Sequence, residues 1–197
     1  MTDLYAEALL TFRELLDAAR VAGDPEPTAM TLATAGADGR VSARVVLLKA
    51  FDERGFVFYS NTRSRKGRQL AANAHCALCF LWKRLREGVQ VRIEGAVERV
   101  SDAEADAYFG SRPRVSQLGA WASKQSATLP QRRFFDERME QLQARYEGQP
   151  VPRPPHWTGY RVRPDLIEFW YGAQFRLHDR DLYELREGRW RKRKLYP

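Results

Sequence analysis

The sequence predicts a mostly β domain in which an antiparallel meander closes into a barrel and helices pack on the outside. Three observations carry this. Short apolar runs rich in β-branched and aromatic residues recur along most of the chain, the pattern of half-buried or buried strands. The breaks between several of them are brief turn signals, "GADG" at 36–39, "DERG" at 52–55, "REG" at 86–88 and "EG" at 187–188, and strands joined by such turns pair antiparallel. Helical periodicity is confined to a few segments between those runs.

Residues 3–20 place Leu4, Ala8, Phe12, Leu15, Leu16 and Ala19 on one helical face before "AGDPEP" ends the helix. Strands follow at 29–34, 40–51 and 56–61. Ser64 is a suitable N-cap for a helix over 64–73, and strands resume at 75–82 and 89–100. "SDAE" at 101–104 is a capping box ahead of "ADAYF". A longer helix covers 131–146, and the proline-rich "GQPVPRPPHW" connects it to strands at 159–164, 166–172, 176–186 and 189–197. Neither an internal repeat nor a low-complexity linker divides residues 1–197, so the chain reads as a single domain.

The bulk properties narrow the function. A hydrophobic fraction of 44% with 12% aromatics fits a folded globular chain, and no stretch approaches the roughly 20 apolar residues of a membrane-spanning helix. The opening "MTDLYAEALL" is acidic and lacks a secretory pattern, which points to the cytoplasm. Net charge is +8, which favours anionic partners: nucleic acid, an acidic membrane surface or small phosphorylated molecules. Cys76 and Cys79 beside His75 have the spacing of a metal or redox pair. In a strand, however, residues three apart face opposite sides, and no second pair completes a zinc site, so they read as buried structural residues and no metal is expected.

Three segments carry chemistry. Arg44 and Lys49 bracket an otherwise apolar strand, and buried charge is costly unless paired. Arg65 and Lys66 stand in the first turn after Ser64, where cations are disfavoured unless an anion is near, so phosphate is indicated. Tyr108, Arg112 and Ser116 recur at intervals of four. If the chain stays near-helical across Pro113, a phenol, a guanidinium and a hydroxyl converge as donors for a second phosphate. In "RLHDR", extended backbone would put Arg176, His178 and Arg180 on one face.

Together "RVVLLK", "FYSNTRSRKG", "VQVRIEG", "YFGSRPRVSQLGAWASKQS" and "IEFWYGAQFRLHDR" resemble, in order, the pyridoxine (pyridoxamine) 5'-phosphate oxidase family over nearly all of residues 26–197. That resemblance implies an FMN-binding split β-barrel and a homodimer with FMN at the interface. It assigns FMN to Arg44, Arg65, Lys66 and the strand Val45, Val46, Leu47, Leu48 and Lys49, with Tyr59 and Ser60 beside them. Gln90, Gln125, Ser126, Trp170 and Arg180 complete the flavin site, some from the partner subunit. Lys49, Tyr108, Arg112 and Ser116 take the substrate phosphate, and Arg176, Leu177 and His178 lie at its ring and reactive carbon, with Arg176 and His178 as catalytic residues.

The implied reaction moves a hydride from C4' of pyridoxine or pyridoxamine 5'-phosphate to the flavin. Dioxygen reoxidises the flavin, giving pyridoxal 5'-phosphate, hydrogen peroxide and, from the amine, ammonia. Many members carry a longer N-terminal segment over the site, whereas this sequence starts almost at its first helix, and Val115 stands where an acidic residue is common. A phenazine-biosynthesis flavin oxidase is the nearest alternative, and the retained phosphate set argues for a phosphorylated substrate. A non-catalytic flavin-binding protein is a second. The basic tail "RWRKRKLYP" raises nucleic-acid binding, but its alternation is that of a terminal strand, so neither nucleic acid nor membrane is expected as a partner.

Overall fold

A computed structural model describes residues 3–197, so residues 1 and 2 of the single-domain reading lie outside the described residues. Helix α1 (Leu4–Val21) begins where Asp3 accepts the backbone N–H groups of Tyr5 and Ala6 at 3.0 and 3.2 Å. This cap satisfies donors that a helix start otherwise leaves open. The face with Ala8, Phe12, Leu16 and Ala19 is buried. The Phe12 ring meets Phe51, Phe56 and Phe80 edge-on at 4.9, 5.0 and 5.2 Å, so α1 covers the apolar interior of the sheet. Truncating Phe12 to Ala would cost about 3–5 kcal/mol.

The strands are β1 (Ala29–Ala35), β2 (Val41–Leu47), β3 (Ala50–Asp52), β4 (Gly55–Asn61), β5 (His75–Trp82), β6 (Val89–Arg99), β7 (Trp157–Tyr171), β8 (Asp179–Arg186) and β9 (Arg189–Lys194). They run in the order β2-β1-β5-β6-β7-β4-β3, with β8 beside β7 and β9 beside β8. The two ends of that order are consecutive in sequence. Leu48 N–H still donates to Thr28 O beside β1, while Lys49 N–H donates to Val57 O in β4, both at 2.9 Å. The strand expected over 40–51 thus changes partner at Leu48–Lys49, and the sheet curls back on itself as a split barrel.

Strand β7 corrects the sequence reading, which ended one strand at Pro164 and began another at Leu166. The structure has one strand of 15 residues. Pro164 sits opposite Gly95 at a register shift between Glu94 and Gly95, and a bulge tolerates a residue without an N–H donor. A Cβ on Gly95 would lie 2.0 Å from the Arg163 carbonyl oxygen, so only glycine permits the close pairing. The first half of β7 pairs with β4 and the second with β8.

Helices α2 (Arg65–Ala72), α3 (Asp102–Ser111), α4 (Arg114–Ala122) and α5 (Arg132–Arg145) lie outside the sheet. Phe109, Leu118, Ala122, Leu142, Tyr146, Val151 and Trp157 join α3, α4 and α5 in a second apolar cluster. Ser101 caps α3 by accepting Glu104 N–H at 3.1 Å, but the Glu104 carboxylate goes to Arg161 at 2.7 Å, so half of the expected capping box forms. The expected near-helical run through Tyr108, Arg112 and Ser116 is broken: Arg112 is extended and Pro113 starts α4. Among the described residues no helix is long and apolar enough to cross a membrane.

Residues 176–178 are not the extended start of a strand. Gln174–Arg176 form a short 3-10 turn, Phe175 and Arg176 have φ of 56° and 63°, and β8 begins at Asp179. The alternation that would have aligned Arg176, His178 and Arg180 is therefore absent, because two left-handed residues turn the backbone ahead of the strand.

Candidate active site

The kink at Arg112–Pro113, the partner change at Leu48–Lys49 and the start of α2 meet around a cavity of about 640 Å³. Arg44, Lys49, Lys66, Tyr108, Arg112 and Ser116 line it with Tyr59, Ser60 and Gln125. Tyr108, Arg112 and Ser116 converge after all, through the kink instead of a continuous helix. Among the described residues the lining holds four cations and no carboxylate.

Neutral groups hold two of these cations. Arg44 donates to Thr34 Oγ1 at 2.7 Å, Ser42 Oγ at 2.5 Å and Leu32 O at 3.2 Å. Lys66 Nζ donates to Gln125 Oε1 at 2.9 Å, and Ser60 Oγ reaches the same oxygen at 3.4 Å. Burial, then the charge of Arg65, lowers the Arg44 pKa; burial, then Arg44, lowers that of Lys66. Both shifts report positive charges gathered without a counter-ion, which an anionic ligand would relieve.

Two features support the α2 end of the site. Ser64 accepts Gly67 N–H at 3.2 Å as N-cap, and Arg65 N–H reaches Ser126 Oγ at 3.1 Å. A Cβ on Gly67 would lie 2.4 Å from the Thr62 carbonyl oxygen, so glycine lets the helix start close to the end of β4.

The aromatic wall was not foreseen as a unit. Tyr59 stacks on Tyr108 at 4.0 Å and on Trp157 at 5.1 Å, and the Arg112 guanidinium lies 4.9 Å from the Trp157 ring centre. Trp157 stood at the end of the proline-rich connector, with no periodicity to mark it. Arg112 Nη1 is buried and, among the described residues, has no hydrogen-bond partner. Burial lowers the Arg112 pKa and pushes that of Tyr59 up to about 12. An orphaned, desolvated donor in a cationic cavity suits an anion that supplies the missing acceptor.

Gln90, Trp170, Arg176, His178 and Arg180 gather elsewhere, across β6, β7 and β8. Gln90 pairs with Trp170, and Trp170 with Arg180. The His178 ring lies 4.4 Å from that of Trp170, and its Nδ1 accepts Ala173 N–H at 3.2 Å. The neutral ring therefore carries its proton on Nε2. Arg176 and Leu177 are exposed on the preceding turn. Glu168, 3% exposed, binds Arg180 Nε at 2.7 Å and also the Arg92 guanidinium. Burial pushes its pKa up, but the hydrogen bonds from Arg180 and Arg92 outweigh this and hold it below the usual carboxylate range.

Register pairing puts Val45, Leu81, Gln90, Trp170 and Arg180 on one outward face through Thr31 and Cys79. Val41, Val45 and Leu81 are 68%, 66% and 51% exposed there. The basic tail, by contrast, is largely compensated: Arg191, Lys192, Arg193 and Lys194 pair with Glu187, Glu7, Glu184 and Asp181. Cys76 belongs to the core and Cys79 faces the other side of β5, as the strand reading required.

Comparison with known proteins gives two family-model matches: pyridoxamine 5'-phosphate oxidase over residues 16–146, and the pyridoxine 5'-phosphate oxidase C-terminal dimerisation region over 157–197. A pyridoxine/pyridoxamine 5'-phosphate oxidase from Xanthomonas euvesicatoria pv. vesicatoria is 59% identical, with 100% of both chains covered. One from Myxococcus xanthus is 58% identical over 94% of this chain and 89% of its own length. Among solved structures, PhzG from Burkholderia lata 383 in complex with tetrahydrophenazine-1-carboxylic acid aligns with a TM-score of 0.91 at 32% identity, covering 100% of this chain and 98% of that one. A pyridoxamine 5'-phosphate oxidase-related, FMN binding protein from Nostoc punctiforme PCC 73102 shares the fold at TM-score 0.75 and 17% identity, over 94% and 97% of the two chains.

Proposed function

The chain belongs to the pyridoxamine 5'-phosphate oxidase family, and from that premise we propose how its residues carry the family's reaction. The function is oxidation of pyridoxine or pyridoxamine 5'-phosphate to pyridoxal 5'-phosphate, with dioxygen reduced to hydrogen peroxide and ammonia released from the amine. The cofactor is FMN. The observation that carries this reading is the one cavity lined by Arg44, Lys49, Lys66 and Arg112 without a carboxylate among the described residues, where Arg44 and Lys66 are held by neutral groups and Arg112 Nη1 has no acceptor among the described residues. Such a lining fits two phosphorylated molecules, and the chemistry of the donors fits the flavin's phosphate.

In this reading Arg44, Arg65 and Lys66 bind the flavin phosphate, with Gln125 and Ser126 beside it and the strand Val45–Lys49 along the rest of the molecule. Bound flavin supplies the two-electron acceptor and its reoxidation by dioxygen. Lys49, Tyr108, Arg112 and Ser116 hold the substrate phosphate, which fixes the reactive carbon instead of leaving it to diffuse. The full phosphate set on one cavity supports a phosphorylated substrate over a phenazine precursor.

Arg176 and His178 complete the site from a second subunit. A homodimer follows from the dimerisation region over 157–197; the finer proposal is that the outward face carrying Val45, Gln90, Trp170 and Arg180 is what the second copy covers. His178 Nε2 is then the group that exchanges a proton near the reactive carbon, and Arg176 orients the substrate ring. Burial of both ligands between subunits excludes water and strengthens these contacts. A cytoplasmic setting suits the two free cysteines, Cys76 and Cys79.

The test is hydrogen peroxide formation by FMN-loaded protein with pyridoxine 5'-phosphate, compared with unphosphorylated pyridoxine. Turnover confined to the phosphorylated compound supports the reading. Equal turnover, or none with either, contradicts it.

A further inference from the structure

Gln69 lies on α2, four residues beyond Arg65, and is 9% exposed. Its side chain makes three hydrogen bonds. Oε1 accepts from Thr34 Oγ1 and from Ser42 Oγ, each at 2.7 Å, and Nε2 donates to the Arg40 carbonyl at 3.4 Å. The orientation of the amide is fixed, because a carbonyl can only accept and so must face the NH2 end.

The two hydroxyls sit between Gln69 and Arg44. Each has one proton to give, and each gives it to the same Gln69 oxygen. What remains on Thr34 Oγ1 and Ser42 Oγ is lone pairs, and these receive Arg44 Nη1 at 2.7 Å and Nη2 at 2.5 Å. Without an acceptor for their protons the hydroxyls could rotate and present hydrogen to a guanidinium that has only donors. The Leu32 carbonyl takes another Nη1 bond at 3.2 Å. Arg44 is thereby locked in one plane; its Nε and the remaining Nη2 hydrogen have no partner among the described residues, and it lines the cavity.

We propose that Gln69 is a positioning residue for the flavin phosphate: it sets the hydroxyls of Thr34 and Ser42 as acceptors, and through them fixes the Arg44 guanidinium in the plane that receives the phosphate. The link also ties β1 and β2 to α2, and so joins the strand bearing Arg44 to the helix bearing Arg65 and Lys66. A locked fork binds a phosphate with little further ordering, which raises affinity for the phosphorylated ligand specifically. This rests on the reading that Arg44 binds the flavin phosphate.

The experiment compares FMN with riboflavin, which lacks the phosphate, by titrating each into flavin-depleted full-length protein and following quenching of flavin fluorescence. Arg44→Ala tests the premise: it must weaken FMN and leave riboflavin binding unchanged. If it does not, the assignment of Arg44 fails and the proposal with it. Given that result, Gln69→Leu is expected to weaken FMN about tenfold with riboflavin unchanged, and to add nothing in the Arg44→Ala background. Equal weakening of both flavins, or no change in either, overturns the positioning role, since a general loss of structure does not distinguish the phosphate. Ser42→Ala removes one arm of the relay and is expected to give a smaller loss confined to FMN. If Gln69→Leu does not fold, Gln69→Asn, whose shorter amide withdraws the shared acceptor, takes its place with the same expected and contradicting results.

Discussion

The Arg112 guanidinium lies 4.9 Å from the ring centre of Trp157, and its Nη1 is buried without a hydrogen-bond partner among the described residues. The ring face attracts the cation, and Arg112 lines the cavity with Tyr108 and Ser116. That pairing makes Arg112 the most exacting test of where the substrate phosphate binds. Arg112→Ala should raise the KM for pyridoxine 5'-phosphate by about ten- to a hundredfold, the scale of a charge-assisted hydrogen bond. Flavin absorbance should be intact. Loss of flavin instead would mean that Arg112 serves the cofactor.

His178 should separate binding from chemistry. Its Nδ1 is occupied by Ala173 N–H, which leaves Nε2 to act. His178→Ala should slow flavin reduction in stopped-flow by roughly a hundredfold, the scale of general acid–base catalysis, with a much smaller change in substrate affinity. A wild-type reduction rate would remove His178 from the chemistry.

Flavin retention should depend on pH through Lys66. Burial, then the neighbouring Arg44, lowers its pKa below the ordinary lysine value. Above that lowered pKa the amine is neutral and no longer attracts a phosphate, so FMN affinity should fall as pH rises through it. The onset should lie below that of a free lysine. Lys66→Arg keeps its charge throughout and should flatten the profile, measured as the FMN dissociation constant against pH.

Glu168 is an unusual residue for a strand centre: buried, ionised and shared by Arg92 and Arg180. Its folded pKa is depressed, so its contribution is present above the unfolded pKa and lost as pH falls through the folded one. Glu168→Gln should destabilise the protein by about 1–3 kcal/mol near neutrality, seen as a lower Tm. The deficit relative to the parent should shrink on acidification.

Much of this architecture was legible because it rests on local chemistry. The N-cap at Ser64, the strand turns and the apolar face of α1 follow from residue type and spacing. What was not legible depended on long-range pairing. Pro164 read as a strand end because the bulge that accommodates it belongs to β6, at Gly95. "RLHDR" read as a strand because nothing in its composition announces that Phe175 and Arg176 adopt positive φ. The convergence of Tyr108, Arg112 and Ser116 was anticipated, though through a helix that Pro113 in fact breaks. Gln69 carried no signal, since its partners Thr34 and Ser42 lie on other elements.

A composite site should also be reconstituted by mixing subunits. At substrate well below the raised KM, Arg112→Ala disables the cavity half, and His178→Ala disables the β7–β8 half. Dimers that pair one of each contain one site free of both changes, so under those conditions random mixing should restore about a quarter of wild-type activity. No recovery, in mixtures shown to exchange subunits, would place both residues in the same subunit's site.

The most direct measurement adds pyridoxine 5'-phosphate to FMN-loaded protein without oxygen and follows the flavin absorbance before air is admitted. The account predicts bleaching on mixing, then return of the yellow form with pyridoxal 5'-phosphate in the product. A flavin that stays oxidised in the presence of the bound phosphate ester would contradict it.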